Sequence, residues 1–360
     1  MRSDKFRKTI KTSFNNILVS LLSIFVGLFV SIFFVMWATK NGFFASASLL
    51  LTSFWKGSFG EKGQLIETLV FATPLIFTGL AHSIAFKTGL FNIGVEGQFI
   101  VGMLTAALIG LIKGIPAPIH IVLVLLGGIL AGTIWAGIPG YLKAKIGTNE
   151  VVNTIMMNYI ALHLSNYLTM GPFHKPESAT TPLIEQSAGL TRFLGQNYRL
   201  NTGLFIALIL AALVYILFWK TTIGYEIRAV GLSASAAEYG GMSIKKNIIL
   251  AMVISGAIAG LGGAVHVAGV QRQSIQMVGF PGYGFDGIAV ALVAKNHPVG
   301  AIFSAILFGA LNLSSGMLML YGIPKTISYI IQGIIILFIA AEYVFKLIGE
   351  KRRKGAAINE

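Results

Sequence analysis

Long apolar segments separated by shorter polar stretches dominate the chain. A helix needs roughly 20 residues to cross about 30 Å of hydrocarbon, and most of these segments approach or exceed that length. They run approximately from Ile17 to Trp37, Leu65 to Ala85, Gly97 to Ile112, Ile119 to Tyr141, Val151 to Met170, Gly203 to Trp219, Ile248 to Val270, Val299 to Leu320 and Thr326 to Phe345. A shorter apolar piece runs from Gly284 to Lys295. The pattern predicts an all-α polytopic membrane protein of about ten transmembrane helices.

Composition supports this class. Hydrophobic residues make up 55% of the 360 residues and charged residues 11%, far from the balance of a soluble domain. The first apolar segment, Ile17 to Trp37, is longer than the apolar core of about 7 to 15 residues in a signal peptide, so we expect an uncleaved first helix. The chain has no cysteine, which excludes a disulfide framework and thiolate metal sites.

The net charge of +14 is better explained by membrane topology than by nucleic-acid binding, because the basic residues are spread over the loops between apolar segments. With a cytoplasmic N-terminus and ten crossings, 18 of the 27 Lys and Arg fall in cytoplasmic segments and 9 outside. This bias predicts that both termini are cytoplasmic. It also predicts that the short Gly284 to Lys295 piece crosses the membrane.

The same four-residue pattern occurs twice, as Gly94-Val95-Glu96-Gly97 and Gly284-Phe285-Asp286-Gly287. Five predicted crossings separate the two copies, and an odd displacement inverts a repeat. The pattern therefore predicts one membrane domain over residues 1–360, with two inverted five-helix halves at about 1–202 and 203–360 and short or broken helices near Glu96 and Asp286. Acids at membrane depth are functional candidates; the alternative is that each caps a helix N-terminus.

Amides, acids and aromatic residues around these breaks are the candidates for contact with a permeating solute. The set contains Phe91, Asn92, Glu96, Gln98, Asn149, Glu150, Asn153, Asn158, Tyr159 and Asp286. Hydrogen-bonding groups without an intramembrane Lys or Arg suit a neutral, hydroxyl-rich solute such as a sugar or nucleoside. Hydrogen bonds between packed helices are the alternative for the polar residues at 149–159, and packing in the core is the alternative for the aromatic ones.

The loop at 220–247 differs from an ordinary linker. An alanine-rich piece lies between Gly231 and Gly240, alanine favours helix and glycine ends it, and Ser233 can serve as N-cap. We expect a short cytoplasmic helix that docks on another protein. The alternative is a helix lying on the membrane surface, which usually has a larger apolar face.

Catalytic and cofactor motifs are absent from the sequence. The six histidines show no metal-ligand spacing, and glycine is never followed by lysine, so the G-x-x-x-x-G-K-[ST] phosphate loop is missing. We therefore expect no enzyme activity and no cofactor or metal bound by this chain.

Three stretches resemble the permease subunits of bacterial ABC importers of the ribose and branched-chain amino acid class, nearest to the nucleoside-uptake branch. They are Phe91-Asn92-Ile93-Gly94-Val95-Glu96-Gly97-Gln98, Gly147 to Tyr159, and Arg228-Ala229-Val230-Gly231 through Ser255 to Gly263. The first two are fairly specific to that branch, and the third is shared by the wider class. With the Gly284 to Gly300 region, the resemblance extends over nearly the whole chain after Leu65.

The resemblance implies a multi-pass protein of the bacterial plasma membrane that imports nucleosides, or a related neutral sugar-like solute, by alternating access. It implies three partners: an ATPase subunit that binds ATP and magnesium, a second permease forming a heterodimer, and an extracytoplasmic substrate-binding lipoprotein. The ATPase would engage the 220–247 coupling loop, through Glu226, Arg228, Ala229, Gly231, Ala236, Ala237, Glu238 and Gly240. The rival functions are an ion- or proton-coupled secondary transporter, which needs no ATPase, and a membrane scaffold, which the polar residues inside the spans disfavour.

Overall fold

The computed structural model describes residues 25–195, 197–324, 326, 329–331, 333–334 and 337. The start of the first predicted span and most of Thr326 to Phe345 therefore lie outside the described residues. In chain order the helices are α1 (Phe25–Thr39), α2 (Phe43–Ser58), α3 (Lys62–Lys87), α4 (Val95–Gly110), α5 (Ala117–Ile146), α6 (Glu150–Met170), α7 (Gly203–Lys220), α8 (Thr222–Leu232), α9 (Ala234–Tyr239), α10 (Ile244–His266), α11 (Tyr283–Val293) and α12 (Pro298–Leu320). A 3₁₀ turn lies at Gln186–Ala188, and α10 continues as a π-helical turn at Val267–Gln271.

Helices account for all the regular secondary structure in the part of the chain that the structure describes; Thr180 and Ile275 form an isolated antiparallel bridge. Among the described residues, five helices are long and apolar enough to cross a membrane: α3, α5, α7, α10 with its π turn, and α12. The prediction of an all-α, multi-pass membrane protein is thereby confirmed for the described residues. At 1.5 Å per residue, α4 and α11 are about 24 Å and about 16 Å long, shorter than the hydrocarbon core.

The segment from Thr39 to Gln64 lies between the first two predicted spans, and we expected a loop there; it is instead mostly helical. It contains α2, and α3 begins at Lys62. The break after α1 turns the chain by 109° at Lys40 to Gly42. Apolar residues such as Phe44 and Trp55, which are 85% and 63% exposed, make α2 amphipathic, and the scattered serines and glycines of this segment obscured that pattern.

The chain forms two compact units. One unit comprises the described residues within 1–64 and 310–360, where the Ser58 hydroxyl donates to the Ala310 carbonyl at 2.7 Å. The other comprises residues 65–309 and holds all the candidate site residues. The division into halves near residue 202 stays a prediction.

Three helices of the 65–309 unit meet at Gly260 of α10. A Cβ at Gly260 would overlap the Gly128 carbonyl and lie 3.0 Å from the Gly132 Cα, both on α5. A Cβ at Gly102 of α4 would lie 2.6 Å from the Gly260 Cα. Small residues let membrane helices approach this closely, so glycine at these positions holds α4, α5 and α10 together.

Candidate functional site at the paired helix breaks

The backbone leaves the helical conformation before each of the two short helices. One break precedes α4 and the other, at residues 272–282, precedes α11. Backbone without helical hydrogen bonds is tolerated at membrane depth only when it is buried in protein or lines a cavity. The partners of these two segments therefore define the candidate site.

The 272–282 segment runs along α6. Near the C-terminal end of α6, the hydroxyls of Thr169 and Ser274 lie 2.8 Å apart. Further along, the Asn166 amide bonds both the N–H and the carbonyl of Met277, each at 2.8 Å. The Asn166 side chain thus satisfies both backbone hydrogen-bonding groups of Met277 and supports the non-helical backbone.

Glu96, in the first turn of α4, caps the start of α11. Its buried carboxylate accepts the backbone N–H groups of Gly282 at 2.6 Å, Gly284 at 2.5 Å and Phe285 at 3.3 Å. The N-terminal N–H groups of a helix lack partners within the helix and attract negative charge. Glu96 therefore caps a helix N-terminus, as the alternative interpretation expected. The helix that it caps is α11, whereas Glu96 itself belongs to α4.

Two further contacts fix this arrangement. The imidazole Nε2 of buried His82, on α3, bonds the Gly284 carbonyl at 2.9 Å. A Cβ at Gly284 would overlap the backbone of Glu96, so only glycine permits this approach.

Asn92 ties the first break to α3 and α10. Its amide nitrogen donates to the Ser255 hydroxyl at 2.9 Å, and that hydroxyl donates to the Ala81 carbonyl at 2.8 Å. The Asn92 oxygen accepts the Gly94 N–H at 3.1 Å, and its amide pairs with the Gln98 amide at 3.2 Å. Asn92 and Gln98 are buried, and their bonds are made within the protein.

Asn158 connects the same break to α6. Its side chain accepts the Gly97 N–H at 2.8 Å and donates to the Ile93 carbonyl at 3.0 Å. Asn158 lies eight residues after Glu150, about 12 Å along the helix at 1.5 Å per residue. Glu96, next to Gly97, therefore lies near the middle of the length of α6. We call this cluster of Asn92, Glu96, Gln98, Asn158 and His82 with the α11 start the junction.

Three of the other predicted solute contacts lie away from the junction. At the N-terminus of α6, Asn149 is the N-cap and accepts the Val151 N–H at 2.9 Å. Glu150 pairs with Lys143 at 2.7 Å, and Asn153 donates to the Thr148 hydroxyl at 2.6 Å.

The two aromatic candidates, Phe91 and Tyr159, are 40% and 50% exposed. Phe91 stacks on Phe86 with ring centroids 5.2 Å apart, and Asp286 lies in the first turn of α11. Solute contact by any residue of the predicted set stays a prediction.

Sequence reasoning missed His82 and Ser255. A histidine or serine inside a long apolar span is a signal that could have identified each of them, because a buried polar group needs a partner. The three N–H donors to Glu96 carry no such signal, because every non-proline residue has a backbone N–H.

A second site is the coupling hairpin, formed by α8 and α9. Ser233 ends α8 and caps α9, its hydroxyl accepting the Ala236 N–H at 3.3 Å. This confirms the predicted short helix and its N-cap. Gly231 is the last but one residue of α8 rather than a break, and a Cβ there would overlap the Lys87 carbonyl at the end of α3.

The predicted ATPase-contact residues divide into two groups. Glu226 accepts the Asn247 amide at 2.9 Å, and the Arg228 guanidinium lies 5.9 Å from the Trp219 ring centroid, so both brace the hairpin against its own chain. Ala237 is buried and Ala229 partly buried, whereas Ala236, Glu238 and Gly240 are exposed.

Two large side chains of the hairpin, Leu232 and Tyr239, are 89% and 97% exposed. The prediction did not include them. Large apolar residues in a loop rich in alanine and glycine are the signal that could have identified them, because exposed apolar groups mark interaction sites when they cluster.

Comparisons with known proteins match most of this chain to transport proteins. The profile of the branched-chain amino acid transport system permease component matches residues 64–340. The guanosine ABC transporter permease protein NupP of Bacillus subtilis is 39% identical over 95% of this chain and 98% of its own length. The glucose ABC transporter permease protein TsgB13 of Haloferax volcanii is 34% identical over 78% of this chain and 77% of its own.

A second guanosine permease protein of B. subtilis, NupQ, is 30% identical over 67% of this chain and 78% of its own. No solved structure matches this chain. The profile match includes the junction and the coupling hairpin. The three stretches that contain Asn92, Asn158 and Ser255 therefore all lie within the match to one family. The chain therefore belongs to the permease component family of branched-chain amino acid transport systems.

Proposed function

We propose that this protein imports nucleosides as the membrane-spanning subunit of an ATP-driven transporter. The observation that carries the proposal is the 39% identity to a guanosine permease over nearly the full length of both chains. The glucose permease is less similar and matches a smaller share of this chain. A neutral sugar-like solute is therefore the second candidate for the cargo.

The predicted solute contacts remain part of the proposal. In the described arrangement the polar atoms of Asn92, Glu96 and Gln98 bond to protein. A solute therefore reaches Glu96 only if α11 moves away from α4, and it reaches the two amides only if their bonds to each other and to Ser255 open. Alternating access supplies such a movement, since two arrangements of a helical bundle expose the same groups in turn. Asn158, Tyr159 and Asp286 lie beside the same break and complete the proposed path.

The energy for this movement comes from a partner ATPase that holds ATP and magnesium. We assign its contact to the exposed residues of the coupling hairpin, with Glu226 and Arg228 holding the hairpin in place. A second permease is supported by the two guanosine permease proteins that one organism has. An extracytoplasmic binding lipoprotein would deliver the solute.

The proposed topology has ten crossings, two inverted halves and both termini in the cytoplasm of a bacterium. The excess of Lys and Arg in the predicted cytoplasmic segments supports it. The matching acids in the first turns of α4 and α11 support the inversion, because matched short helices in two halves are typical of transporter repeats.

The test is uptake of radiolabelled guanosine by proteoliposomes that contain the complete transporter with its ATPase, second permease and binding lipoprotein. ATP-dependent accumulation is expected, and none with an ATPase whose phosphate-loop lysine is replaced. Free ribose and glucose as competitors separate nucleoside from sugar import. Accumulation driven by a proton or sodium gradient in liposomes that hold this chain alone would instead establish secondary transport.

A further inference from the structure

The exposed face of α6 differs in chemistry from that of α7. On α7 the exposed side chains near the middle of the helix are mostly aliphatic: Ile209, Leu213 and Ile216 are 61%, 54% and 48% exposed, and Tyr215 is 38% exposed. Such a face suits lipid. On α6 the corresponding positions include Tyr159 and Tyr167, which are 50% and 71% exposed, with exposed His163 between them.

Tyr159, His163 and Tyr167 are four residues apart in sequence and therefore lie along one side of α6; we call them the α6 stripe. Apolar neighbours such as Ile160 are exposed beside it. In hydrocarbon the two phenol hydroxyls and the imidazole nitrogens would lack hydrogen-bond partners, and polar groups within membrane helices usually face protein or a water-filled path. The stripe thus marks the side of the bundle that is turned away from lipid.

Two more aromatic rings extend the stripe at the level of the junction. The rings of Tyr159 and Phe280 meet edge to face, with centroids 5.1 Å apart at 69°, and Phe280 meets Phe285 in the same manner at 5.6 Å and 82°. Phe285 is 38% exposed and donates its backbone N–H to Glu96. We call Tyr159, Phe280 and Phe285 the aromatic shelf. Tyr159 and Phe285 expose part of their rings, and between them lies Phe280, which belongs to the non-helical segment before α11 and packs partly on the core.

We propose that the α6 stripe lines the solute path and that the aromatic shelf stacks a planar heteroaromatic ring, the base of a nucleoside. The inference rests on the proposed function and adds to it the part of the solute that this chain recognises. The exposed parts of the Tyr159 and Phe285 rings are available for offset or edge-to-face contact with a further ring, and stacking tolerates different bases because each has a π face. The hydroxyl-bonding amides of the junction lie next to the shelf, where the sugar of the same solute would be.

The absence of cysteine from the natural chain permits a direct test of solvent access. Single variants His163→Cys and Tyr167→Cys on α6, and Ile209→Cys and Leu213→Cys on α7, are treated with a charged, membrane-impermeant methanethiosulfonate reagent in the complete transporter. The α6 cysteines should react at least tenfold faster than the α7 pair. Equal, slow reaction at all four positions would show that a second permease or lipid covers the stripe, and it would overturn the proposal.

Stacking is tested by uptake kinetics. Tyr159→Leu and Phe280→Leu keep an apolar side chain and remove a ring; each should raise the half-saturating guanosine concentration about tenfold, the equivalent of losing one base-stacking contact. Tyr159→Phe, which keeps the ring, should restore most of the affinity. A loss of maximal rate at unchanged half-saturation in the leucine variants, or equal values for Tyr159→Leu and Tyr159→Phe, would rule out ring stacking.

Failure of the shelf differs from failure of the proposed function. If the unmodified complete transporter does not accumulate guanosine, nucleoside import itself is wrong. If it does accumulate guanosine, and the leucine variants keep the half-saturating guanosine concentration of the natural protein, only the proposed base stacking on the aromatic shelf is wrong. An aliphatic control outside the stripe, Leu213→Ala, should leave half-saturation unchanged in the functioning transporter.

Discussion

The carboxylate of Glu96 on α4 accepts the backbone N–H of Gly284 at the start of α11, at 2.5 Å. The two residues belong to the two copies of the repeated glycine–acid motif, so the acid of one copy completes the helix N-terminus opened by the other. The negative charge lies where the α11 macrodipole and its free N–H groups favour it. The proposed alternating-access movement would break these bonds if it separated α4 from α11, so we expect the Glu96 contact to oppose opening.

Replacing Glu96 tests the contribution of this contact to stability. In Glu96→Gln the amide group has a single accepting oxygen, and its NH₂ would oppose the N–H of Gly282 or Gly284. A buried N–H left without a partner costs about 1–3 kcal/mol, so the purified chain should melt several degrees lower in detergent. Glu238→Gln, at an exposed position of α9, is the control and should melt unchanged. Equal melting temperatures for both variants would contradict the capping role.

Gly284 should tolerate no side chain. In Gly284→Ala the added Cβ would overlap the backbone of Glu96, which forces α11 away from α4. Overpacking of a well-packed interior costs about 1–3 kcal/mol, and we expect lower membrane accumulation and a lower melting temperature. The matched control is Gly279→Ala, where an added Cβ would have no atom within 4 Å. Similar yields of the two variants would show that the close approach is not required.

Local signals made part of this structure predictable from the sequence. Ser233 before an alanine-rich stretch predicts α9 and its cap, and the apolar run after Gly284 predicts α11. The partner of Glu96 was not predictable, because its donors are backbone N–H groups from residues almost 190 positions away in sequence. The position of Tyr159 on the exposed surface of α6 was equally unpredictable, because in an apolar helix lipid-facing, protein-facing and water-facing positions have the same spacing.

The meeting point of α4, α5 and α10 should be sensitive to volume. In Gly260→Val the side chain would overlap the Gly128 carbonyl and crowd Gly132, so the three helices could not keep their spacing. We expect the variant to accumulate poorly in the membrane and to aggregate on size-exclusion chromatography. Gly316→Val on α12, where a Cβ would meet no atom within 4 Å, is the control. A monodisperse Gly260→Val protein at normal yield would show that the helices separate more easily than their close approach indicates.

Leu232 and Tyr239 should contribute more to ATPase binding than Arg228 does. Both side chains are almost fully exposed, and burying a large apolar side chain in an interface stabilises it by about 1.5–3 kcal/mol. Leu232→Ser and Tyr239→Ser should therefore weaken ATPase association about 10- to 100-fold, without lowering the melting temperature of the permease.

Arg228→Gln loses the contact with the Trp219 ring and should lower the melting temperature of the permease. We expect it to weaken ATPase association only indirectly, because the hairpin is displaced. Titration of labelled ATPase subunit onto permease in nanodiscs measures the affinities, with Lys113→Gln, at an exposed position between α4 and α5, as control. If Arg228→Gln abolished association at unchanged stability while the two serine variants bound normally, the ATPase would contact the other side of the hairpin.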